Sequence, residues 1–309
     1  MNLIFSAFAT LAGYREGDGS SAGGETYYRC IVVALCSAKA QNPGDEVALI
    51  TNAPVPPPYG VQLAAAGVQV WQCPFDTYRV AAELEWSLAF YKLCALSWAL
   101  ENKRYDNYLM LDVDTYTQYP FTDLWRECAE AVLLYQVPHA ASQPMAAAIS
   151  VNYNALYGGQ HLLTHFGGEL IGGSRARLQV FMARCQSVYG AMCQQGLRPH
   201  EGDEFITCAA AYQSINAGEP VRGANAYIFR YWVGGRFYFV STNYCNDPVC
   251  VLHLPGNGKN RQLKVLYGLY TRRGAFPPVE KVHAVCCFPP AHPPLLRSLW
   301  VRVQAKLMK

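Results

Sequence analysis

Short apolar runs alternate with longer segments of helical periodicity in the first third of the chain. The apolar runs predict strands at residues 2–9, 47–51 and 68–73, and the helical spacing between them predicts helices at residues 27–38 and 61–66. This β-α-β-α-β order is typical of a doubly wound α/β fold, in which helices cover both faces of a mainly parallel sheet.

A longer apolar segment at residues 81–101 predicts a helix that is buried on nearly every side. Lys92 is the only cation in this segment. Burying an ammonium group is costly unless it is paired. We therefore expect Lys92 to pair with an aspartate or a phosphate, or to extend its amine to the surface.

The later part of the chain mixes strand and helix patterns. Ser174 is a suitable N-cap for a helix that ends near Gly196. One face of that helix carries its apolar residues, which are Leu178, Met182, Cys185, Val188 and Met192. Further helices are predicted at 121–125 and 200–215, strands at 130–136, 146–151, 227–231, 237–241 and 249–254, irregular structure at 153–165, and a Gly-rich segment at 166–173.

Two aspartates, Asp112 and Asp114, follow the apolar run 108–111, which predicts a buried strand. If the strand continues through Asp114, alternation places both carboxylates on one side. Neighbouring carboxylates repel each other and raise each other's pKa unless a cation lies between them, and a hard divalent ion prefers oxygen ligands. The pair therefore predicts a metal site, with solvated acids or caps of the next helix as the alternatives.

A second cluster of polar residues, His253-x-x-Gly256-x-x-Lys259, follows the last predicted strand. A neutral histidine can bind a metal ion, glycines allow the backbone to approach a phosphate closely, and a lysine can neutralise that phosphate. Together with the two aspartates, these groups are suited to hold a divalent ion and a diphosphate, and so to make a nucleoside diphosphate a good leaving group.

The segment Asp112-Val113-Asp114 resembles the DxD motif of GT-A glycosyltransferases. The segment 253–259 resembles the HxxGxxK motif of the family-8 retaining enzymes, which include glycogenin and bacterial lipopolysaccharide galactosyl- and glucosyltransferases. The resemblance covers residues 1–262 and implies a GT-A domain with a Rossmann-like, mixed but mainly parallel sheet, followed by an extension at 263–309. It also implies metal-dependent, retaining transfer of a hexose from a UDP-sugar to a hydroxyl of a glycan, glycolipid or protein.

The resemblance also implies roles for individual residues. Asp112, Asp114 and His253 would bind Mn²⁺ or Mg²⁺, and Asp112 would also contact the donor ribose. The other donor contacts would come from Ala7, Phe8, Ala9 and Thr10 at the base and ribose, from Val113 beside the aspartates, and from Lys259 with the backbone of Gly256 and Gly258 at the diphosphate.

Lys92 would take the place of the family's basic residue near the donor sugar, and Glu169 lies in the Gly-rich segment that shapes the sugar pocket. Asp203 or Glu204 would stand beside the anomeric carbon. The chain departs from the family here, because Gly-Asp-Glu replaces Asp-Gln-Asp. It departs again around 253–261, where Leu254 replaces an aromatic residue and Asn260-Arg261 replaces Pro-Trp.

Composition narrows the class of protein. The chain has 309 residues, enough for one large domain or two ordinary ones, and its 51% hydrophobic and 15% charged residues can build a sizeable core. A net charge of +3 is too small to indicate nucleic-acid binding. The absence of an apolar run of about 18 residues predicts no transmembrane helix.

Twelve cysteines lie mostly within apolar runs, where free thiols pack as small hydrophobic groups. With no recognisable secretory signal at the first residues, we expect reduced thiols and a cytoplasmic location. Cys245, Cys250 and His253 could alternatively bind zinc, but they lack a fourth ligand at a regular spacing.

The segment 295–309 carries Arg297, Arg302, Lys306 and Lys309 among apolar residues and has no acid. It predicts a basic amphipathic helix, suited either to peripheral contact with an anionic membrane face or to packing on the domain.

Two other functions stay open. One is a nucleotidyltransferase that makes a sugar nucleotide, although Glu16 and Asp18 offset Arg15, the only cation of its candidate loop at 13–24. The other is a non-enzymatic protein that binds a nucleotide or sugar.

Overall fold

A computed structural model describes residues 1–11, 23–84, 86–138, 144–231 and 249–286, together with Leu299 and Val303. The strands are β1 (Asn2–Phe8), β2 (Glu46–Thr51), β3 (Gln69–Gln72), β4 (Asn107–Leu111), β5 (Thr115–Thr117), β6 (Val132–Gln136), β7 (Phe166–Ser174), β8 (Val221–Gly223), β9 (Ile228–Arg230) and β10 (Val251–His253). The helices are α1 (Gly23–Gln41), α2 (Pro57–Ala65), α3 (Tyr91–Asn102), α4 (Thr122–Glu130), α5 (Pro144–Tyr157), α6 (Arg175–Gln194), α7 (Asp203–Asn216), α8 (Lys264–Arg273) and α9 (Val279–Val285).

Within these residues, seven strands form a central sheet in the order β3-β2-β1-β4-β7-β6-β8. All neighbouring pairs are parallel except those of β7, which is antiparallel to both β4 and β6. The fold is therefore α/β with a mainly parallel central sheet flanked by helices, as the sequence predicts.

Alternating side chains of the central strands build a separate core on each face of the sheet. Leu3 and Phe5 of β1 pack on the face covered by α3, α6 and α7, whereas Ile4 packs on the face covered by α1 and α4. The strands are apolar on both faces because helices cover both. The predicted apolar face of α6 is buried throughout, in agreement with its spacing.

A smaller sheet, β5-β10-β9, extends the fold beyond the end of β4. β10 runs antiparallel to β5 and parallel to β9. A third core beneath this sheet joins Cys30 and Val33 of α1 to Leu266 of α8 and Val282 of α9. The predicted boundary between residues 262 and 263 falls inside a continuous helical segment, because a π-helical turn, Lys259–Leu263, runs directly into α8. The division into two parts stays a prediction.

Three predicted segments differ from the structure. The irregular segment predicted at 153–165 is partly helical, because α5 continues to Tyr157. The predicted strand at 146–151 is wrong, because these residues lie within α5. The segment begins with three alanines, and alanine has the highest helix propensity of all residue types. The predicted helix at 81–101 is too long. Trp86 has a φ of 62°, which interrupts a right-handed helix, and a 3₁₀ turn at Ser87–Phe90 leads into α3.

The Gly-rich segment at 166–173 forms β7, a strand in the middle of the sheet. Gly172 packs so closely that a Cβ there would lie 3.1 Å from Leu109 and 3.2 Å from Cys128. The predicted strand at 237–241 lies outside the described residues, as does the predicted tail helix at 295–309 apart from Leu299 and Val303.

The described cysteines are all free thiols, and every one except Cys193 is buried. This is the packing expected of small hydrophobic side chains. Over the described ranges, no helix combines the length and the apolar character that crossing a bilayer requires.

Candidate active site

Asp112 and Asp114 lie in the turn that leaves the central sheet after β4 and enters the smaller sheet at β5. The Thr115 hydroxyl donates to the Asp112 carbonyl at 2.8 Å, and the Asp112 amide donates to the Glu169 carbonyl of β7 at 3.0 Å. Val113 turns into the core on the side of α1. The prediction of one shared side assumed that the strand continues, but β4 ends at Leu111. It is the turn after β4 that brings both carboxylates to Nε2 of His253.

His253, the last residue of β10, completes a cluster with the two aspartates. It lies in register with Thr115 of β5, so the antiparallel pairing carries its ring to the Asp turn. Its Nε2 is 3.0 Å from Asp114 Oδ1 and 3.9 Å from Asp112 Oδ2. The three candidate ligand atoms lie within 4.8 Å of one another. Two carboxylate oxygens and one imidazole nitrogen form a donor set that could bind Mn²⁺ or Mg²⁺.

Lys259 contacts the same cluster from the π-helical turn. Its Nζ lies 3.2 Å from Asp114 Oδ2 and 3.3 Å from the hydroxyl of Tyr27 on α1. Gly256 turns the chain with a φ of 58°, a conformation that side chains with a Cβ disfavour. The amide of Gly258 already donates to the Pro255 carbonyl at 3.1 Å, so Lys259 is the stronger candidate for a phosphate contact.

Lys92 of α3 joins the Asp turn to the start of α7. Its Nζ is 3.0 Å from Asp203 Oδ2, 3.7 Å from Asp112 Oδ1 and 3.2 Å from the Gly168 carbonyl. Pairing with aspartates is thus the alternative that the structure supports. A Cβ on Gly168 would lie 2.4 Å from Lys92 Nζ, so glycine at this position of β7 makes room for the amine.

Arg230, the last residue of β9, holds the two remaining acids. Its Nε is 2.6 Å and its Nη2 2.5 Å from the fully buried carboxylate of Glu169, and Nη2 also lies 3.1 Å from Glu204 Oε1. The Gly168 amide donates to Oε1 of Glu204 at 3.1 Å, and His165 Nε2 lies 2.7 Å from its Oε2. Both oxygens of Glu204 are therefore held by protein donors.

Glu169 also contacts the candidate metal ligand His253. Its Oε1 lies 3.4 Å from Nδ1 of His253, the ring nitrogen that faces away from Asp114. A carboxylate in this position orients a histidine ligand and increases its basicity. The sequence places Glu169 in the Gly-rich segment but does not indicate this contact.

The pKa values of the buried acids follow their partners. Burial alone would raise the pKa of each. For Asp114, the positive charges of His253 and Lys259 outweigh burial and lower the pKa well below its ordinary value. For Glu169, burial is outweighed by His253 and Arg230, which lower the pKa to about 2.

The pKa values of Asp112 and Asp203 are raised, unlike those of Asp114 and Glu169. Burial raises the pKa of Asp112, and the negative charge of Asp114 adds to this despite Lys92. Burial also raises the pKa of Asp203 to about 6, with Glu204 contributing and Lys92 opposing.

The pKa values of the buried cations are raised by the acids beside them. Burial alone would lower the pKa of each, but the negative charges of Asp112 and Asp203 raise the pKa of Lys92, and that of Asp114 raises the pKa of Lys259. His253 responds likewise: burial lowers its pKa, yet Asp114 and Glu169 raise it to about 9. In the metal-free protein the imidazole is therefore charged at neutral pH and partly balances the acids.

The end of β1 lies beside this cluster. Phe8 packs on Tyr27, whose hydroxyl contacts Lys259, with ring centroids 5.8 Å apart. Thr10 exchanges hydrogen bonds of 2.8 Å with the side chain of Asn52, and Ala9 is buried. The predicted donor segment thus begins within β1, whose last two residues are Ala7 and Phe8, and continues past the end of the strand.

Sequence reasoning did not find Arg230 and His165. A lone arginine in the otherwise apolar and aromatic strand at 227–231 was an available signal for a buried ion pair. His165 had no such signal, because only the packing of α7 against β7 brings Glu204 to it. Cys250 is absent from the ligand group found among the described residues, and Cys245 lies outside them.

The sequence matches no protein-family model and no curated protein. The class of protein therefore follows from the fold and the site alone. The chain is an α/β protein with a buried cluster of carboxylates and cations at the carboxyl end of β4, an edge at which open α/β sheets commonly bind ligands.

The Glu169→Gln substitution tests the role of the buried glutamate. We expect it to weaken Mn²⁺ binding by about 10- to 100-fold, because the amide no longer holds the charged, oriented His253 ring. Titration calorimetry with Mn²⁺ measures the change. Glu219→Gln is the matched control, since Glu219 pairs with Arg184 outside the cluster; equal affinities of the two variants would contradict the assignment.

Proton release tests the charge of His253. A metal ion binds the neutral imidazole, whereas the pKa of His253 in the metal-free protein is raised to about 9. Mn²⁺ binding at neutral pH should therefore release about one proton, and affinity should increase as the pH rises toward 9. Calorimetry in buffers of different protonation enthalpy measures the number of protons released on Mn²⁺ binding. His253→Ala should remove this release, and a binding heat independent of the buffer would exclude His253 as a ligand.

Proposed function

We propose that the protein is a metal-dependent, retaining glycosyltransferase of the GT-A class that transfers a hexose from a UDP-sugar to a hydroxyl acceptor. The observation that carries the proposal is the convergence of Asp112, Asp114 and His253 within 4.8 Å, with Lys259 on one side and Lys92 on the other. These residues come from segments far apart in the sequence, and they match two motifs in the order expected of family-8 enzymes.

The donor would lie across the carboxyl end of the sheet. Asp112, Asp114 and His253 would hold Mn²⁺ or Mg²⁺, which would neutralise charge on the diphosphate. Lys259 would contribute a second positive charge at the diphosphate. The segment from Ala7 to Thr10 would contact the base and ribose, with Phe8 and Tyr27 as the aromatic surfaces nearest to Lys259.

Asp203 is the acid that we assign to the reacting sugar. Its carboxylate pairs with Lys92, whereas both oxygens of Glu204 are occupied by His165, Arg230 and the Gly168 amide. With a pKa raised to about 6, Asp203 is mostly ionised at neutral pH and can stabilise positive charge on an oxocarbenium-like transition state. Glu204 then positions Arg230 rather than contacting the sugar.

The reaction breaks the bond between the anomeric carbon and the diphosphate and forms one to the acceptor oxygen. Lys259 stabilises the negative charge that develops on the departing diphosphate. Retention has two routes: either a carboxylate acts as a transient nucleophile, or the acceptor hydroxyl attacks on the face that the diphosphate leaves. In the second route, a diphosphate oxygen accepts the proton of the acceptor hydroxyl. Acceptors compatible with this chemistry are a glycan, a glycolipid or a protein side chain.

The setting we propose is cytoplasmic, in keeping with the buried free thiols. Contact with a membrane face through the basic tail at 295–309 remains a prediction from the sequence.

Donor turnover tests the proposal directly. With Mn²⁺ present, a panel of UDP- and GDP-sugars should yield free UDP from at least one UDP-sugar, because the site is suited to neutralise a diphosphate leaving group. Asp114→Ala should abolish both this release and the Mn²⁺ dependence of UDP binding, and His253→Ala should weaken them; coupled nucleotide detection and calorimetry measure the two effects.

The control for these variants is Asp123→Ala, which removes an exposed acid of α4. Unchanged Mn²⁺-dependent UDP binding in Asp114→Ala would refute the assignment. Release of pyrophosphate from UTP, in place of UDP from a UDP-sugar, would indicate a nucleotidyltransferase instead.

Asp203→Asn tests the assignment of the acid. We expect kcat to fall by about 100-fold, because a charge that stabilises the transition state is lost, while UDP affinity stays nearly unchanged. Steady-state kinetics measures kcat, and calorimetry with UDP measures the affinity. The control is Glu201→Gln, which changes a buried acid in the turn just before α7 that accepts a hydrogen bond from Asn152. A loss of UDP affinity with an unaltered kcat would show that Asp203 acts in binding.

A further inference from the structure

A cavity of about 710 Å³ lies between α1, α2 and α8, apart from the metal cluster. Its lining includes Arg29, Tyr59, Arg261, Lys264, Tyr267 and Arg272. None of these residues belongs to the network around the aspartates. The π-helical turn lies between the cavity and the candidate active site. Lys259 contacts Asp114, whereas Arg261 lines the cavity, because it lies two residues later and so roughly half a helical turn away around the axis.

The lining carries four cations against a single acid, Glu25. Arg29 has 17% of its side chain exposed, and it contacts Glu25 at 3.6 Å and the Thr26 hydroxyl at 3.2 Å. No carboxylate among the described residues forms a salt bridge with the other three cations, which are Arg261, Lys264 and Arg272.

This charge pattern differs from that of the candidate active site, where Lys92, Lys259 and Arg230 each contact a carboxylate. Like charges gathered around one cavity repel one another, and an anion placed among them is attracted by all of them. The lining therefore favours a multiply charged anion, because within the described part of the chain Glu25 is the acid that faces these four cations.

Tyrosines form the less polar wall of the cavity. Tyr59 and Tyr267 lie with ring centroids 6.2 Å apart, and Tyr28 stacks on Tyr59 at 5.3 Å. Such rings can cover the carbon skeleton of a ligand while their hydroxyls bind its polar groups. The volume is within the range of small-molecule sites, about 300–1,000 Å³.

We propose that this cavity is a second anion site, which binds a phosphate-bearing molecule such as a sugar phosphate or a phosphorylated lipid headgroup. Arg29 and Arg261 supply planar guanidinium groups suited to phosphate oxygens, Lys264 and Arg272 add charge, and Tyr59 with Tyr267 contacts the attached group. Binding needs no divalent ion, so the site is independent of the proposed transferase activity.

Pyrophosphate is the probe for the test, used in calorimetry with EDTA present to remove divalent ions. The wild-type chain should bind it, and added salt should weaken binding because the contacts are ionic. The double variant Arg261→Glu/Lys264→Glu should lose at least about tenfold in affinity. Asp114→Ala should retain the wild-type affinity.

Two controls separate this cavity from other cationic surfaces. Arg126→Glu/Arg222→Glu makes the same change in net charge at exposed positions of α4 and β8 and should leave pyrophosphate binding unchanged. Lys259→Ala reports on pyrophosphate that is held at the candidate active site instead. Three results would overturn the proposal. The first is an equal loss of affinity in both double variants, and the second is a loss in Lys259→Ala alone. The third is that the wild type binds neither pyrophosphate in calorimetry nor vesicles in the co-sedimentation assay.

Vesicles distinguish the two sources of phosphate. Phosphatidylcholine vesicles with and without phosphatidic acid are compared for co-sedimentation of the wild type and the Arg261→Glu/Lys264→Glu variant. Selective loss of binding in that variant, relative to the Arg126→Glu/Arg222→Glu control, supports a lipid headgroup as the ligand. Vesicle binding that is equal in all chains, together with the expected pyrophosphate results, supports a soluble phosphate.

Discussion

The pairing of buried acids with buried cations is the constraint on which the rest of the site depends. A lone charge moved from water into a protein interior costs several kcal/mol, so the acids at the end of β4 can be buried only with partners. Lys92 arrives from α3, Arg230 from β9, and His253 and Lys259 from β10 and the turn that follows. Parts of the chain far apart in sequence must therefore fold together before any one of these charges is stable in place.

The same constraint accounts for the composition of β7, which lies between β4 and β6. Gly168 leaves space for the amine of Lys92, and a Cβ on Gly167 would lie 2.0 Å from the Glu169 carboxylate and 2.2 Å from Arg230. The glycines therefore give room to ion pairs at the centre of the sheet. The result is two groups of ion pairs, one that contains Lys92 and one that contains Arg230. Both groups contact the candidate metal ligands.

Local pattern predicted much of this. The apolar strands and the buried face of α6 follow from periodicity, which depends only on near neighbours in the chain. Asp112 and Asp114 are close in sequence, but it is the turn after β4 that brings their carboxylates to His253. Where local signals conflicted, prediction failed: the alanines near residue 146 form a helix although their apolar run resembles a strand. Arg230 and His165 were missed because their partners, Glu169 and Glu204, lie far away in sequence and meet them only across β7, β9 and α7.

By itself, the sequence determined the α/β class and the residue types of a candidate metal site, because strand and helix periods and the chemistry of Asp, His and Lys are local properties. Only the tertiary structure decided how the charges pair. It placed Glu169 against His253, assigned Lys92 to Asp112 and Asp203, and gave Glu204 a full set of donors. It also gathered Arg29 and Arg261 around a separate cavity. Coulombic interactions depend on distance in space, and the distance between residues remote in sequence is set by the fold.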